Sequence, residues 1–224
     1  MASDVYRPMC DDMIRSFKKF NPKEEIIIFG QDRIDTIRSA FSTPQFASEL
    51  CGEYKSIVQI NADIIVTGSF DHMFNDSTFD VGVVKNNNRV DNYTVWGLPS
   101  ENYYNCGFVF MQSEEFIRHW LSLCLSPFFA HYQFKEQDLL NILCHYGNYN
   151  VRCFDTDSKV NGLAILSEWD RLIVKDNKLV LPASDYNKTE WEVSMVHFAG
   201  GDNKSNVWDI VNPEVAEFLR ECIK

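Results

Sequence analysis

No apolar run in this 224-residue chain approaches the roughly 18 residues that a membrane-spanning helix needs. The opening stretch MASDVYRPMC lacks the apolar core of a secretory signal. No Cys-x-x-Cys pair occurs, and the seven cysteines are an odd number set mostly inside apolar segments. They read as buried free thiols in a reducing compartment rather than as a disulfide framework or a zinc site. Positive charge is scarce: 21 Lys and Arg stand against 32 Asp and Glu, for a net charge of -11. An acidic surface disfavours nucleic acid, because phosphate neutralisation supplies most non-specific affinity, and it disfavours anionic membrane. The chain has no internal repeat, no low-complexity segment, no composition-marked linker and no glycine-rich phosphate loop after a first strand. These absences predict a single cytoplasmic domain over 1–224, without direct membrane insertion and with homo-oligomerisation left open.

What is present is a large apolar share, 45% with 14% aromatic residues, enough for a sizeable core. Apolar spacing predicts helices over Met9–Phe20, Pro44–Cys51, Glu114–Leu125, Glu136–Tyr146 and Pro213–Ile223, the last capped by Asn212. Strands are predicted over Glu25–Phe29, Ile57–Ile60, Ile64–Val66, Phe79–Val84, Tyr103–Met111 and Val193–Phe198. Leu172–Val174 and Leu179–Leu181 flank Asp176-Asn177 as a hairpin. Helices alternate with strands early and hairpin-like pairs come late, which implies an α/β domain with a mixed sheet.

Residues 57–74, IVQINADIIVTGSFDHMF, carry the strongest functional signal. The β-branched run Ile57–Ile60 reads as a buried strand. It delivers Asn61-Ala62-Asp63 to a strand end, where open α/β sheets bind ligands. A carboxylate next to apolar residues is costly unless something cationic meets it, and a divalent metal carrying a diphosphate would do so. The alternative is a surface turn between two strands.

Four further segments have paired readings. His197 stands at a strand end before Phe198-Ala199-Gly200-Gly201, with Lys204 and Trp208 beyond. A neutral imidazole there could ligate a metal, and the glycine backbone with Lys204 could hold phosphate; the alternative is a core histidine beside a turn. Asn105-Cys106-Gly107 interrupts a strand, which marks either a bulge or a close approach by a ligand. Glu136-Gln137-Asp138 opens a helix, where acidic residues either complement the helix dipole or meet sugar hydroxyls. Tyr6, two residues after Asp4, could stack on a nucleotide base or simply pack.

Taken in order, these segments resemble the GT-A glycosyltransferases of the family that includes glycogenin and bacterial galactosyltransferases, the family 8 type. The family's strand–DxD–strand element looks like Ile57–Val66, and its Tyr-Phe-Asn-(Ser/Ala)-Gly strand looks like Tyr103-Tyr104-Asn105-Cys106-Gly107. Its Asp-Gln-Asp-x-Leu-Asn helix start resembles Glu136-Gln137-Asp138-Leu139-Leu140-Asn141. Its His-Phe-x-Gly-x-x-Lys-x-Trp close resembles His197-Phe198-Ala199-Gly200 with Lys204 and Trp208. The resemblance implies a Rossmann-like nucleotide half with a mixed central sheet flanked by helices, fused to an acceptor half. It implies Mn²⁺ or Mg²⁺, a nucleotide-sugar donor that is UDP-linked, a glycan or glycoconjugate acceptor, and retention of anomeric configuration in polysaccharide biosynthesis.

By position, Asp63 and His197 would ligate the metal, with Asn61 in the place of a third ligand. Lys204, Gly200 and Gly201 would hold the diphosphate and Tyr6 the base. Asn105, Gly107, Glu136 and Asp138 would hold the donor sugar or shape its pocket, with Gln137 near the anomeric carbon. The chain departs from the pattern in having Asn61 for the leading Asp, Glu136 for Asp, and no counterpart of the family's first strand ahead of Asp4. Those departures support a rival, a catalytically silent protein of this fold that binds a nucleotide sugar or serves as a transferase subunit. The joint presence of Asp63, His197, Lys204 and Gln137 supports the enzyme.

Overall fold

The computed structural model describes residues 7–29, 42–86, 95, 97–99, 102–154, 162–163, 171–184, 188–198, 208 and 211–224. The chain divides into two compact units, one made of Met1–Ile28, Asn61–Met73 and Phe154–Lys224, the other of Phe29–Ile60 and Phe74–Cys153. The division falls between Ile60 and Asn61, where the greasy run meets the acidic step.

The second unit holds a four-stranded mixed sheet. Its strands are β1 (Ile57–Ile60), β3 (Val81–Lys85), β4 (Tyr104–Met111) and β5 (Val151–Cys153), in the order β1-β4-β3-β5. β4 pairs antiparallel with β1 and β3, while β3 and β5 run parallel. The central strands are buried almost throughout, as their unbroken apolar sequences require. β1 is only half-buried along its length, where the sequence predicts a buried strand. Its position explains the difference, since a strand at the sheet edge is covered less than one between two neighbours.

Helices α2 (Ser42–Leu50), α4 (Glu114–Leu125) and α5 (Glu136–Tyr146) share one core with this sheet. Ala47, Val83, Val109, Phe116, Ile117, Trp120, Leu139, Leu140 and Leu143 are buried together there. The Ser113 hydroxyl accepts the Phe116 N–H at 3.2 Å and caps α4, and Phe116, Ile117, Trp120 and Cys124 form its buried stripe. Phe110 meets Phe74 and Phe79 at ring distances of 5.2 and 5.5 Å.

The first unit contains α1 (Arg7–Phe20), β2 (Ile64–Val66), β6 (Gly162–Leu163), β7 (Ile173–Lys175), β8 (Lys178–Leu181), β9 (Trp191–Glu192), β10 (Met195–His197) and α6 (Pro213–Cys222). The short helix α3 (Asp71–Phe74) ends at the division. β2-β10-β6 form one sheet and β7-β8-β9 another. Asp176 and Asn177 join β7 to β8 with φ of 50° and 58°, the left-handed pair that a two-residue hairpin turn demands. Asn212 caps α6 by accepting the Val215 N–H at 2.9 Å, and its amide donates to the Leu172 carbonyl at 2.7 Å. Val215 and Leu219 then bury against Leu179, Leu181, Val196 and Phe198.

β2 is an edge strand, and α1 satisfies part of its open side. The buried Ser16 hydroxyl accepts the Val66 N–H at 3.0 Å and donates to the Met13 carbonyl at 2.9 Å. Just beyond the strand, the buried Asn21 side chain accepts the Phe70 N–H at 2.7 Å. A buried N–H left unpaired costs about 1–3 kcal/mol, so these two side chains fix the strand that Asp63 precedes. Glu25–Phe29 forms no strand, against the sequence reading. No described strand lies beside it: Phe29 stacks on Phe46 of α2 with ring centres 3.9 Å apart, while Ile27 and Ile28 are 40% and 51% exposed. β-propensity alone does not make a strand without a neighbour. No described helix is long and apolar enough to cross a membrane.

Candidate active site

The step between β1 and β2 is a tight turn, with the Ile64 N–H donating to the Asn61 carbonyl at 3.2 Å. β2 then runs antiparallel to β10 with Ile64 opposite His197. That register sets Asp63 beside the last residue of β10, and the Phe198 N–H donates to the Asp63 carbonyl at 2.8 Å. The two side chains converge as a result: His197 Nε2 lies 3.2 Å from Asp63 Oδ1, with side chains only 6% and 9% exposed. Backbone pairing alone therefore brings together a carboxylate and an imidazole far apart in sequence. Below them, the Thr67 and Gly68 N–H groups donate to the Ser194 carbonyl at 2.8 and 3.2 Å. A Cβ on Gly68 would stand 3.0 Å from Ser194 Oγ, so the glycine permits this close crossing.

The pair fits a divalent cation. With the proton on Nε2 the two groups hydrogen-bond each other; with it removed, the same two atoms are donors to a metal. Carboxylate oxygen and imidazole nitrogen suit Mn²⁺, and such ions commonly take one or two protein ligands and complete their shell from substrate phosphates and water. Among the described residues no group of three His, Cys, Asp or Glu could hold a metal alone.

In the other unit, α5 starts at Lys135, whose φ of 51° and ψ of -118° mark a sharp turn. The next residues are tied to β4. Gln137 Oε1 accepts the Cys106 N–H at 3.0 Å. Asn141, one helical turn later, accepts the Tyr104 N–H at 2.7 Å and donates to the Tyr104 carbonyl at 2.9 Å. Asp138 is fully buried; its carboxylate accepts the Tyr103 hydroxyl at 2.6 Å and the Phe134 N–H at 2.8 Å. Burial first, then the Asp138 hydrogen bond, holds the Tyr103 phenol far above its ordinary range, so it stays a donor.

The Asn105-Cys106-Gly107 interruption is a bulge. The β3–β4 register jumps from Val83–Val109 to Val84–Asn105. Asn105 braces it, accepting the Gly107 N–H at 2.6 Å and donating to Asn86 Oδ1 at 2.9 Å. Glu136 directs its carboxyl to α2, with Thr43 Oγ1 3.5 Å from Oε1.

The structure thus joins Asp63 to His197, with Asn61 closing the turn before them. It separately joins Gln137 to the strand that carries Asn105 and Gly107, and Asp138 to Tyr103 just ahead of that strand. Tyr6, Gly200, Gly201 and Lys204 lie outside the described residues, as do Asp4 and the residues ahead of it. Trp208 is half-buried beside the α6 core, with the Arg220 guanidinium 5.1 Å from its ring centre. Sequence reasoning did not find Asn86, Tyr103 or Thr43 as partners of these residues. The i, i+4 spacing of Gln137 and Asn141 was the available signal that one polar face of α5 meets a strand edge.

No protein-family model matches the sequence, and no curated protein matches it. Solved structures do. The chain is similar to the galactosyltransferase LgtC crystallised with donor and acceptor sugar analogs, with a TM-score of 0.54, 13% identity, and coverage of 99% of this chain and 93% of that one. It is similar to a glycosyltransferase involved in glycosylation of the major capsid of PBCV-1, with a TM-score of 0.51, 10% identity and 94% of each chain covered. Against the glycosyltransferase GlyE of Streptococcus pneumoniae TIGR4 the TM-score is 0.53 at 12% identity, covering 96% of this chain and 60% of GlyE. At these identities the likeness is one of architecture: the chain has the mixed α/β GT-A fold of these glycosyltransferases.

Proposed function

We propose that the chain is a metal-dependent, retaining glycosyltransferase that moves a sugar from a UDP-sugar to a glycan or glycoconjugate acceptor. The buried Asp63–His197 pair at 3.2 Å carries this reading, because a carboxylate and an imidazole brought together at a strand end can serve as ligands of a cation that also meets a diphosphate. Asp63 and His197 would hold Mn²⁺ or Mg²⁺, with the Asn61 amide oxygen as a further ligand. A cation there would act as a Lewis acid on the departing diphosphate. Lys204 with the Gly200-Gly201 backbone would neutralise the leaving nucleotide, and Tyr6 would stack on the base. The resemblance assigns Asn105, Gly107, Gln137 and Asp138 to the donor sugar, with Gln137 as a stabiliser of charge at the anomeric carbon, an amide being a poor nucleophile. The donor and acceptor sugar analogs bound by the galactosyltransferase LgtC support this choice of ligands. Free thiols at all seven cysteines support a cytoplasmic setting, and neither nucleic acid nor a membrane span enters the proposal.

A second reading, a catalytically silent sugar-nucleotide binder, draws on one observation. Gln137, Asp138 and Asn105 all spend side-chain oxygens on the protein itself. Turnover decides between them. Incubation with a panel of UDP-sugars and Mn²⁺ should release UDP from one of them, and EDTA should abolish that release. UDP that binds while no UDP-sugar in the panel turns over would favour the silent binder.

A further inference from the structure

Three helices of one unit meet at Glu136. Oε1 lies 3.5 Å from Thr43 Oγ1 at the start of α2, and the Thr43 N–H also serves the carboxyl. Trp120 of α4 donates its indole N–H to the Glu136 carbonyl at 3.0 Å. The other carboxyl oxygen, Oε2, is buried with no hydrogen-bond partner. An ionised carboxylate with one empty buried oxygen is expensive, whereas a neutral acid tolerates the site. The residue is also the first of α5, immediately ahead of Gln137, which is tied to Cys106 of β4, and Asp138, which holds Tyr103 and Phe134.

We infer that Glu136 is a positioning residue rather than a sugar contact: as a neutral acid it wedges the first turn of α5 against the N-terminus of α2, and on ionising it loosens the turn that holds Gln137 and Asp138. The consequence for donor turnover rests on the function proposed above; the structural coupling does not.

The surroundings agree with a neutral acid. Thr43 on α2 is uncharged. The titratable group facing Glu136 from α4 is Cys124, a thiol that burial pushes up and keeps neutral. No cation acts on the carboxyl among the described residues. Burial raises the carboxyl to about 8, against hydrogen bonds from Thr43 that pull it down. The folded value lies above the unfolded one. The contribution of Glu136 to stability is therefore fully present at acid pH, falls as pH rises from the ordinary glutamate value of 4.5 towards about 8, and levels off above that.

The test follows the Cys106 and Phe134 amides by NMR from pH 6 to 9.5, because those N–H groups donate to Gln137 and Asp138. Both signals should titrate with a midpoint near pH 8 in the wild type and stay flat in Glu136→Gln. Thr43→Val should move the midpoint upward, since it removes a hydrogen bond that favours the charged form. UDP-sugar turnover should fall about ten-fold between pH 7 and 9 in the wild type, as one unit past a midpoint dictates, with the alkaline limb shifted in Thr43→Val. Amides that fail to titrate in the wild type, that still titrate in Glu136→Gln, or whose midpoint falls in Thr43→Val would overturn the inference. Failed turnover with intact amide titration would count against the transferase reading alone.

Discussion

Asp63→Asn should abolish the Mn²⁺-dependent rise in melting temperature expected when UDP is added to the wild-type protein, and should leave the melting temperature of the free protein within a few degrees. The substitution is isosteric. Its amide oxygen can still accept from His197 Nε2, 3.2 Å away, and the bond from the Phe198 N–H goes to the Asp63 backbone carbonyl, which the change does not touch. What disappears is the negative charge, the main attraction for a hard divalent cation at a site with so few protein ligands. A loss of at least about 30-fold in Mn²⁺-dependent UDP affinity is expected, about 2 kcal/mol. A thermal-shift series with UDP, with Mn²⁺ and with both reads this directly, because a ligand stabilises only the state it binds. If the variant keeps the combined shift, the carboxylate is not the metal ligand. If the free variant unfolds at room temperature, the pair is structural.

Asp138→Ala should destabilise the protein by about 2–5 kcal/mol, because it leaves two buried donors without this acceptor, at about 1–3 kcal/mol each. The side chain is fully buried and serves two donors, the Tyr103 hydroxyl at 2.6 Å and the Phe134 N–H at 2.8 Å. Alanine strands both and leaves a void under the first turn of α5. Urea denaturation should show a lower midpoint with an unchanged slope, since the folded surface is the same. Asp138→Asn, which keeps an acceptor, should cost less. A cost under about 1 kcal/mol for alanine would mean that the turn is held by Gln137 and Asn141 alone.

Local patterning was legible wherever one element carried its own signal. The ranges Glu114–Leu125 and Glu136–Tyr146 are helices with those bounds, because apolar spacing and first-turn acids agree there. The Asp176-Asn177 hairpin and the Asn212 cap were legible for the same reason: each is decided by a few adjacent residues. Asn105-Cys106-Gly107 announced an interrupted strand, and the bulge stands there.

What was not legible depends on partners distant in sequence. Glu25–Phe29 has strand-like residues but no described strand beside it. Ile57–Ile60 reads as a core strand, yet its edge position leaves it half-buried. Thr43 and Glu136 meet only because α2 and α5 pack in one core, and Asn86 braces Asn105 across a sheet. The convergence of Asp63 and His197 lies between these cases. Each residue was identifiable at a strand end, but their 3.2 Å approach is fixed by the antiparallel register of β2 and β10, which no local pattern specifies.

The most direct measurement is calorimetric titration of UDP into the wild-type protein with Mn²⁺ and then with EDTA. Binding with Mn²⁺ that vanishes in EDTA is expected, since on the proposed reading the cation would link the Asp63–His197 pair to the diphosphate. Equal binding in both conditions, or none in either, would contradict a metal–diphosphate site at the start of β2.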